Sequence, residues 1–537
     1  MYRPTDKQVS LFDPAGSLPE SAQARLRASW GDAFHREVYP LLLAEEDRFA
    51  NLYGVEGRPN WSVARMLGIL LLQEMLGLTD QAALDQLSFD LRWHRALALL
   101  PEDAYLSRRS LVDFRARLVQ RDPDALRMRA VFDRVAKTAC EQLELSLVDQ
   151  RLDSTHMVSN IRNRGRRDLF ARTLDLFMRM LRKNHPTEVV RLPEALRPWS
   201  ESDEKPLSAG EANGRLEQLA RWLLAVRDAF AGVDPICLAE PYLLIVRLIA
   251  EHVTELPKPA PGEGGDPGRE PPIEVHQPAS PSTSLQSPHD PDAGYGHKGS
   301  GYETQIVETC NNRGKTELIL DFDVHASGCT DQGKAAEAVE RLLERNAVPT
   351  RLFVDSGYVS MQAMDEAIAR GVDLQGPISQ GKIKVDAIGR DAWTVDPDTG
   401  RLKVCPQGHP VVRHAVRTNG HRGAQLHAYV DGENCRACPV RDKCLARPPN
   451  DGKPGCRHIE DSPSLLRRDQ RLAEQKTPEW RTRNHIRAGI EATNSELKRR
   501  HGLGRLRVRR AARVRLAVTA KLIGCNVKRW LRARGAR

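Results

Sequence analysis

The residues best suited to chemistry are carboxylates in patterned surroundings. Asp153 ends a strand-like run in L-D-S-T-H, and Asp355 directly follows another in F-V-D-S-G-Y, where Gly357 permits the backbone turn that exposes it. If these strands are neighbours in a sheet, the two acids converge at one edge. Shared carboxylates are what two metal ions about 3.5–4 Å apart need to activate a water or a 3′-hydroxyl and to stabilise the leaving oxygen. Asp149, Asp321, Asp323 and Asp331 are rivals for the same role. The third acid, Glu491, lies in N-H-I-R-A-G-I-E-A-T-N-S-E-L-K. Arg487 before it and Lys498 after it share its helix face, with Asn494 beside them. A carboxylate between two cations suits a metal ligand next to a phosphate backbone. It equally suits an ordinary i,i+4 ion pair on a surface helix.

A second donor set is sulfur. Cys435-R-A-Cys438 is a C-x₂-C pair, Cys444 follows, and Cys405 in V-C-P-Q-G-H supplies a fourth thiolate, with His409 or Cys456 as substitutes. Four thiolates at about 2.3 Å would close a tetrahedral structural Zn²⁺ site with no open position. Reduced, unliganded thiols are the alternative. Cys140, Cys237, Cys310, Cys329 and Cys525 are scattered and read as small buried residues. Ten cysteines in a chain of 537 residues without a secretory pattern argue against a disulfide framework.

The charge is unevenly spread. The net charge is +10, yet residues 461–537 hold 22 Lys+Arg against 6 Asp+Glu, so the remainder is slightly acidic. Such a concentrated basic segment is the footprint of a phosphate-binding surface. Within it, R-R-H-G-L-G-R-L-R-V-R-R combines a turn marked by Gly502 and Gly504 with Arg499, Arg500, Arg505, Arg507, Arg509 and Arg510, leading into a basic helix. Contacts of this kind position DNA without reading its sequence and weaken steeply with salt. Leu516, Val518, Leu522, Val527 and Leu531 recur at core-facing spacing, so part of that helix is structural.

Elements that could position these groups follow from periodicity. Residues 61–76 carry a helical stripe of Met66, Leu67, Leu70, Leu71 and Met75; Gly77 ends it, Thr79 caps the next helix, and Ser107 or Ser110 opens another. These short helices could form a helix-turn-helix, although the same periodicity serves any helical bundle. Strand-like runs at 145–156, 302–309 and 317–324 precede a helix at 333–346, a strand at 351–354, a helix at 361–370 and a strand at 372–376. That order is the RNase H-like layout, a mixed five-stranded α/β sheet with helices.

The expected division is a helical N-terminal domain (1–142), an RNase H-like core (143–381), a cysteine-rich zinc insertion (382–460) and C-terminal helices with the basic tail (461–537). The core is interrupted by a helical insertion (160–256) and by a linker (257–294). Ten of the chain's 34 prolines fall between 257 and 291, a composition that points to a flexible, disordered tract. The helical insertion could contact DNA, bridge two protomers or merely pack, and Trp222 and Trp393 read as packing residues. No run of about 18 apolar residues occurs, and the start of the chain lacks a basic-then-apolar leader, so a cytoplasmic, nucleoid-associated protein is expected.

Taken together, L-D-S-T-H, the H-K-G-S-G-Y run before the second strand, V-D-S-G-Y, the R-x₃-E-x₆-K helix and G-R-P at 57–59 resemble the insertion-sequence DDE transposases of the YREK type over most of the chain. The resemblance implies that Asp153, Asp355 and Glu491 bind two Mg²⁺ (or Mn²⁺) ions and that Arg487 and Lys498 contact transposon-end DNA, with Asn494 expected on the same DNA-facing side. It implies double-stranded DNA, both ends and target, as partner, cleavage and strand transfer as reaction, and a homodimer on DNA. The family's tyrosine falls at Asn484, which cannot stack on a base or present a phenol, so a hairpin route that needs it is in doubt. The competing readings are an RNase H-like nuclease without strand transfer and an inactive or repurposed zinc-containing DNA-binding protein.

Overall fold

The computed structural model describes residues 1–6, 16, 18–161, 165–204, 209–257, 272–380, 386–419, 423–448 and 455–536. The N-terminal part is helical, as its periodicity predicts. Helix α1 (Val63–Leu76) starts at Ser62, whose hydroxyl accepts from the Arg65 amide, and ends at Gly77 with φ 70°. Only a residue without Cβ enters that left-handed cap freely. Helix α2 (Asp80–Phe89) is capped by Thr79 and α3 (Arg108–Arg121) by Ser107, and α4 (Leu126–Gln142) leads into the sheet.

The sheet contains β1 (Asp149–Val158), β2 (Gly299–Thr309), β3 (Ile319–Ala326), β4 (Arg351–Phe353) and β5 (Asp373–Gln375). Their spatial order is β3-β2-β1-β4-β5, antiparallel across the first three and parallel across the last three. A sixth short strand, Gly294–Gly296, also pairs with β2, one more than the expected five. Between β1 and β2, α5 (Arg166–Asn184), α6 (Ala209–Phe230) and α7 (Glu240–His252) build their own core around Phe170, Phe177, Leu223, Phe230 and Ile245. Trp222 packs against it with the Arg215 guanidinium over its ring. Helices α8 (Lys334–Glu344) and α9 (Met361–Ala369) follow β3 and β4 respectively.

The proline-rich tract departs from expectation. Residues 258–271 lie outside the described residues, whereas 272–294 is built into the fold rather than forming a free linker. Ile273–Val275 pairs with Val253–Glu255, Leu285 enters the core of the insertion, and Asp290 is fully buried. Its carboxylate accepts from the Tyr302 hydroxyl at 2.6 Å, from Ser159 and from the Arg510 amide at 2.7 Å. Proline content reports backbone stiffness but is blind to such a buried anchor.

The cysteine-rich insertion folds as three antiparallel strands, β6 (Val411–Asn419), β7 (Gly423–Val430) and β8 (Arg457–Glu460), over a small core that includes Trp393, Leu402, Ala428 and Ile459. Beyond it come α10 (Pro463–Glu474), α11 (Ile490–Arg500) and α12 (Ala511–Ala533). The five expected core positions of α12 are all buried. This helix lies against α1, α4 and β3, and at Gly524 the backbones come so close that a Cβ would stand 2.9 Å from both Glu74 Cβ and the Met75 amide nitrogen. One apolar core therefore joins the N-terminal helices, the sheet and α12. Among the described residues, no helix is long and apolar enough to cross a membrane.

Candidate active site

Strand register brings the first two acids together. In the parallel pair of β1 and β4, Arg151 faces Phe353, so Asp153 and Asp355 stand two residues beyond the same paired position. Asp153 is half-buried and Asp355 exposed. Each carboxylate accepts from the next residue's amide, Ser154 at 2.9 Å and Ser356 at 2.6 Å. Burial raises the Asp153 carboxyl above its ordinary range, Asp355 adds to the rise, and the Ser154 amide, Arg487 and Lys298 oppose it. Lys298, from the H-K-G-S-G-Y run, is a cation that composition alone did not single out.

Glu491 opens α11. Its side chain is 69% exposed and stands 3.8 Å from Arg487. The helix beneath it is held firmly. Buried Glu308 on β2 receives Arg151 at 2.6 Å, the Thr493 hydroxyl at 2.6 Å and Arg529 at 3.3 Å. Arg151 also donates to the Ile486 carbonyl at 2.9 Å, and a Cβ at Gly489 would strike its guanidinium. Arg151, Glu308, Gly489, Thr493 and Arg529 thus position the Glu491 helix, and none of them carried a sequence signal. Arg151 and Glu308 are directly paired across β1 and β2, a relation visible only once the register is known.

Asn494 differs from the expected DNA-facing residue. It is buried, and its amide nitrogen donates to Asp153 Oδ2 at 3.2 Å while its Oδ1 has no partner. Lys498, Arg499, Arg500, Arg505 and Arg507 are exposed. Partial desolvation of its ammonium by neighbouring groups lowers Lys498 from its ordinary value even though the residue is exposed, Lys298 acting in the same direction and Asp153 against it. The stretch from Arg505 to Arg510 is not helical, since α12 begins only at Ala511. The Val158 amide donates to the Gly504 carbonyl at 3.0 Å, which ties this loop to the end of β1. Gly502, at φ 64°, makes the turn. Arg505 and Arg509 line a cleft with Arg172, His289 and Asn160, whereas Arg510 is committed to Glu240 at 2.7 Å. Asn484 ends the helix Pro478–Asn484, with its Oδ1 buried and unpartnered.

The rival acids are accounted for. Asp149 is held by Arg351 at 2.7 Å and Asn311 at 2.9 Å. Asp321 is fully buried among Arg129, Arg341 and Arg345, which hold its carboxyl below the ordinary range despite burial. Asp323 stands 3.8 Å from Lys334, and Asp331 borders Gly357 behind Tyr358.

Cys405, Cys435, Cys438 and Cys444 line one cavity together with His409, and Cys456 is not part of that lining. The Cys405 amide donates to the His409 carbonyl and the Gly408 amide to the Cys405 carbonyl, at 2.8 and 2.9 Å, a tight knuckle around the first thiol. Burial raises the Cys435 and Cys444 thiols, and Arg457 opposes the rise in both. Among the described residues, neither these sulfurs nor the three carboxylates form a set whose donor atoms all lie within 4.8 Å of one another; Glu496, His501 and Cys525 do.

Residues 404–531 match the family described as Transposase DDE domain, and residues 33–117 match Transposase domain (DUF772). The first stretch contains Glu491 and the four cysteines and begins after Asp153 and Asp355. Neither the curated proteins nor the solved structures include one that matches the chain. The two matches support an insertion-sequence transposase, hence a nuclease-type enzyme with a DNA substrate, and the DDE domain implies an RNase H-like fold. Domains of that kind typically use divalent metal ions.

Proposed function

We propose that the protein is an insertion-sequence transposase of the YREK type in which Asp153, Asp355 and Glu491 hold two Mg²⁺ or Mn²⁺ ions and so support DNA strand cleavage and strand transfer. The observation that carries this reading is the register of β1 and β4, which sets Asp153 and Asp355 side by side while Asn494, from the Glu491 helix, donates to Asp153. The donor set fits hard cations: carboxylate oxygens, with the buried, unpartnered Asn494 Oδ1 beside them. When bound, the metals would supply charge neutralisation at the scissile phosphate and an activated water or 3′-hydroxyl. Asp153, raised toward the neutral acid by burial, is the ligand whose charge a cation would restore.

Arg487, Lys498 and Lys298 surround the acids and would hold the phosphate backbone, while Asn494 orients Asp153 rather than touching DNA. Exposed Arg499, Arg500, Arg505 and Arg507 extend the basic surface along the loop after α11. Replacing Arg505 and Arg507 together by Ala should weaken DNA binding about equally for all sequences and reduce the salt slope by roughly one per lost phosphate contact. The four cysteines fit a structural Zn²⁺ by chemistry and by their shared cavity, and would stiffen the insertion. Bringing two DNA ends together calls for a homodimer on DNA, which size exclusion with an end-containing duplex would reveal.

The test is Mg²⁺-dependent cleavage of a duplex bearing the gene's own flanking ends, wild type against Glu491→Gln. End-specific nicking that is lost in the variant, with DNA binding retained, supports the reading. A wild type that binds these ends without cutting them would make it a DNA-binding relic, and cutting without joined products would make it a nuclease.

A further inference from the structure

At the junction of α11, the loop after it and α12, three donors of different chemistry converge. A carboxylate oxygen of Glu496, a ring nitrogen of His501 and the Cys525 sulfur all lie within 4.8 Å of one another. His501 is 2% exposed and Cys525 fully buried. The His501 Nδ1 bonds the Glu74 backbone carbonyl at 3.0 Å, which places the proton there and leaves Nε2 with a lone pair. That Nε2 is buried without a partner. A buried imidazole nitrogen of this kind is costly unless something occupies it. Fixing a histidine through Nδ1–H to a carbonyl is also how metal-ligating histidines are commonly oriented.

We infer that Glu496, His501 and Cys525 form a second Zn²⁺ site, distinct from the four-cysteine cavity. Thiolate, imidazole and carboxylate together favour Zn²⁺ over the Mg²⁺ suited to the all-oxygen carboxylate set. Three protein ligands leave the fourth position to water. Arg529 engages Glu496 Oε2 at 2.9 Å, and among the described residues no bond to Oε1 competes with the metal. Binding exchanges the Cys525 S–H bond for S–Zn and releases the proton to solvent. Because His501 is bonded to α1 through Glu74, the ion would tie the Glu491 helix to the N-terminal layer. The site does not depend on the transposase reading.

The experiment is zinc content of the full chain after loading with Zn²⁺ and removal of excess, first in a Cys435→Ser/Cys438→Ser background that disables the other cavity. One Zn²⁺ per chain is expected there, falling to none with either Cys525→Ala or His501→Gln. No zinc in the background, or zinc unaffected by both substitutions, overturns the proposal. If the background variant fails to fold, Co²⁺ loading of the otherwise wild-type chain decides. Cys525→Ala should remove one Co²⁺ per chain while leaving the four-thiolate spectrum intact, and an unchanged Co²⁺ count overturns the site.

Discussion

Two aspartates on the central sheet meet opposite fates. Asp321 on β3 is sealed from solvent by Arg129, Arg341 and Arg345, and its carboxyl is held below the ordinary range. Asp153 on β1 is half-buried, has one weak side-chain donor in Asn494, and is pushed the other way by burial and by Asp355. A carboxylate whose lone pairs are all met by protein donors has no capacity left for a ligand; one that is desolvated but under-partnered has a deficit that a cation can fill. The difference separates a sealed acid from an under-partnered one on the same sheet, which their one-letter code cannot do.

The largest effect should come from emptying the sealed site. Asp321→Ala strands three guanidinium groups and should cost about 3–5 kcal/mol, read as a shifted urea midpoint. Asp153→Asn should change stability by less than about 1 kcal/mol while abolishing end cleavage. Equal destabilisation by the two variants would break the comparison.

Glu308 sharpens it, being sealed like Asp321 but placed under the Glu491 helix. Glu308→Gln keeps the shape and one oxygen acceptor, so a loss of about 1–3 kcal/mol is expected, together with reduced cleavage because Arg151 and Thr493 lose their shared anchor. Cleavage that persists at the wild-type rate would remove Glu308 from the positioning role.

Acid should reveal the same contrast. The folded-state pKa of Asp321 is depressed, so its contribution is fully present above the unfolded value of about 4 and disappears as pH falls through the lower folded value. Urea midpoints measured downward from pH 5 should therefore fall more steeply for wild type than for Asp321→Asn. Parallel curves would contradict the depressed pKa. The smallest effect belongs to Asn494→Ala, at about 1 kcal/mol or less in stability, with a clear fall in cleavage and little change in DNA affinity. A loss of DNA binding instead would return Asn494 to the DNA surface.

Legibility followed the range of the interaction. Helix starts and stops at Gly77, Thr79 and Ser107 depend on neighbours a few residues away, and the sequence of strands and helices along the chain depends on periodicity, so both could be read from sequence, although α1 starts after Ser62 and not at Trp61. Asp355 lies just beyond β4, as its run suggests, whereas Asp153 lies inside β1, which continues to Val158 past the point where the run was read as ending. Asn494 does share the Glu491 side, but a helical face says only which residues share a side, not that this one is buried against β1. The Glu308 network was invisible because its members come from positions 151, 308, 493 and 529. The fold of 272–294 was missed because a single buried Asp290 outweighs a proline-rich composition.

The contact of α12 with α1 also bears on biosynthesis. Helix α1 is buried on nearly every side, and Gly524 of the last long helix closes over it at Glu74. A nascent chain on the ribosome must carry α1 with an apolar flank uncovered until residues 511–533 have emerged. Completion of the N-terminal layer therefore waits on residues 511–533, and chains terminated before Ala511 would expose that flank to chaperones and proteases.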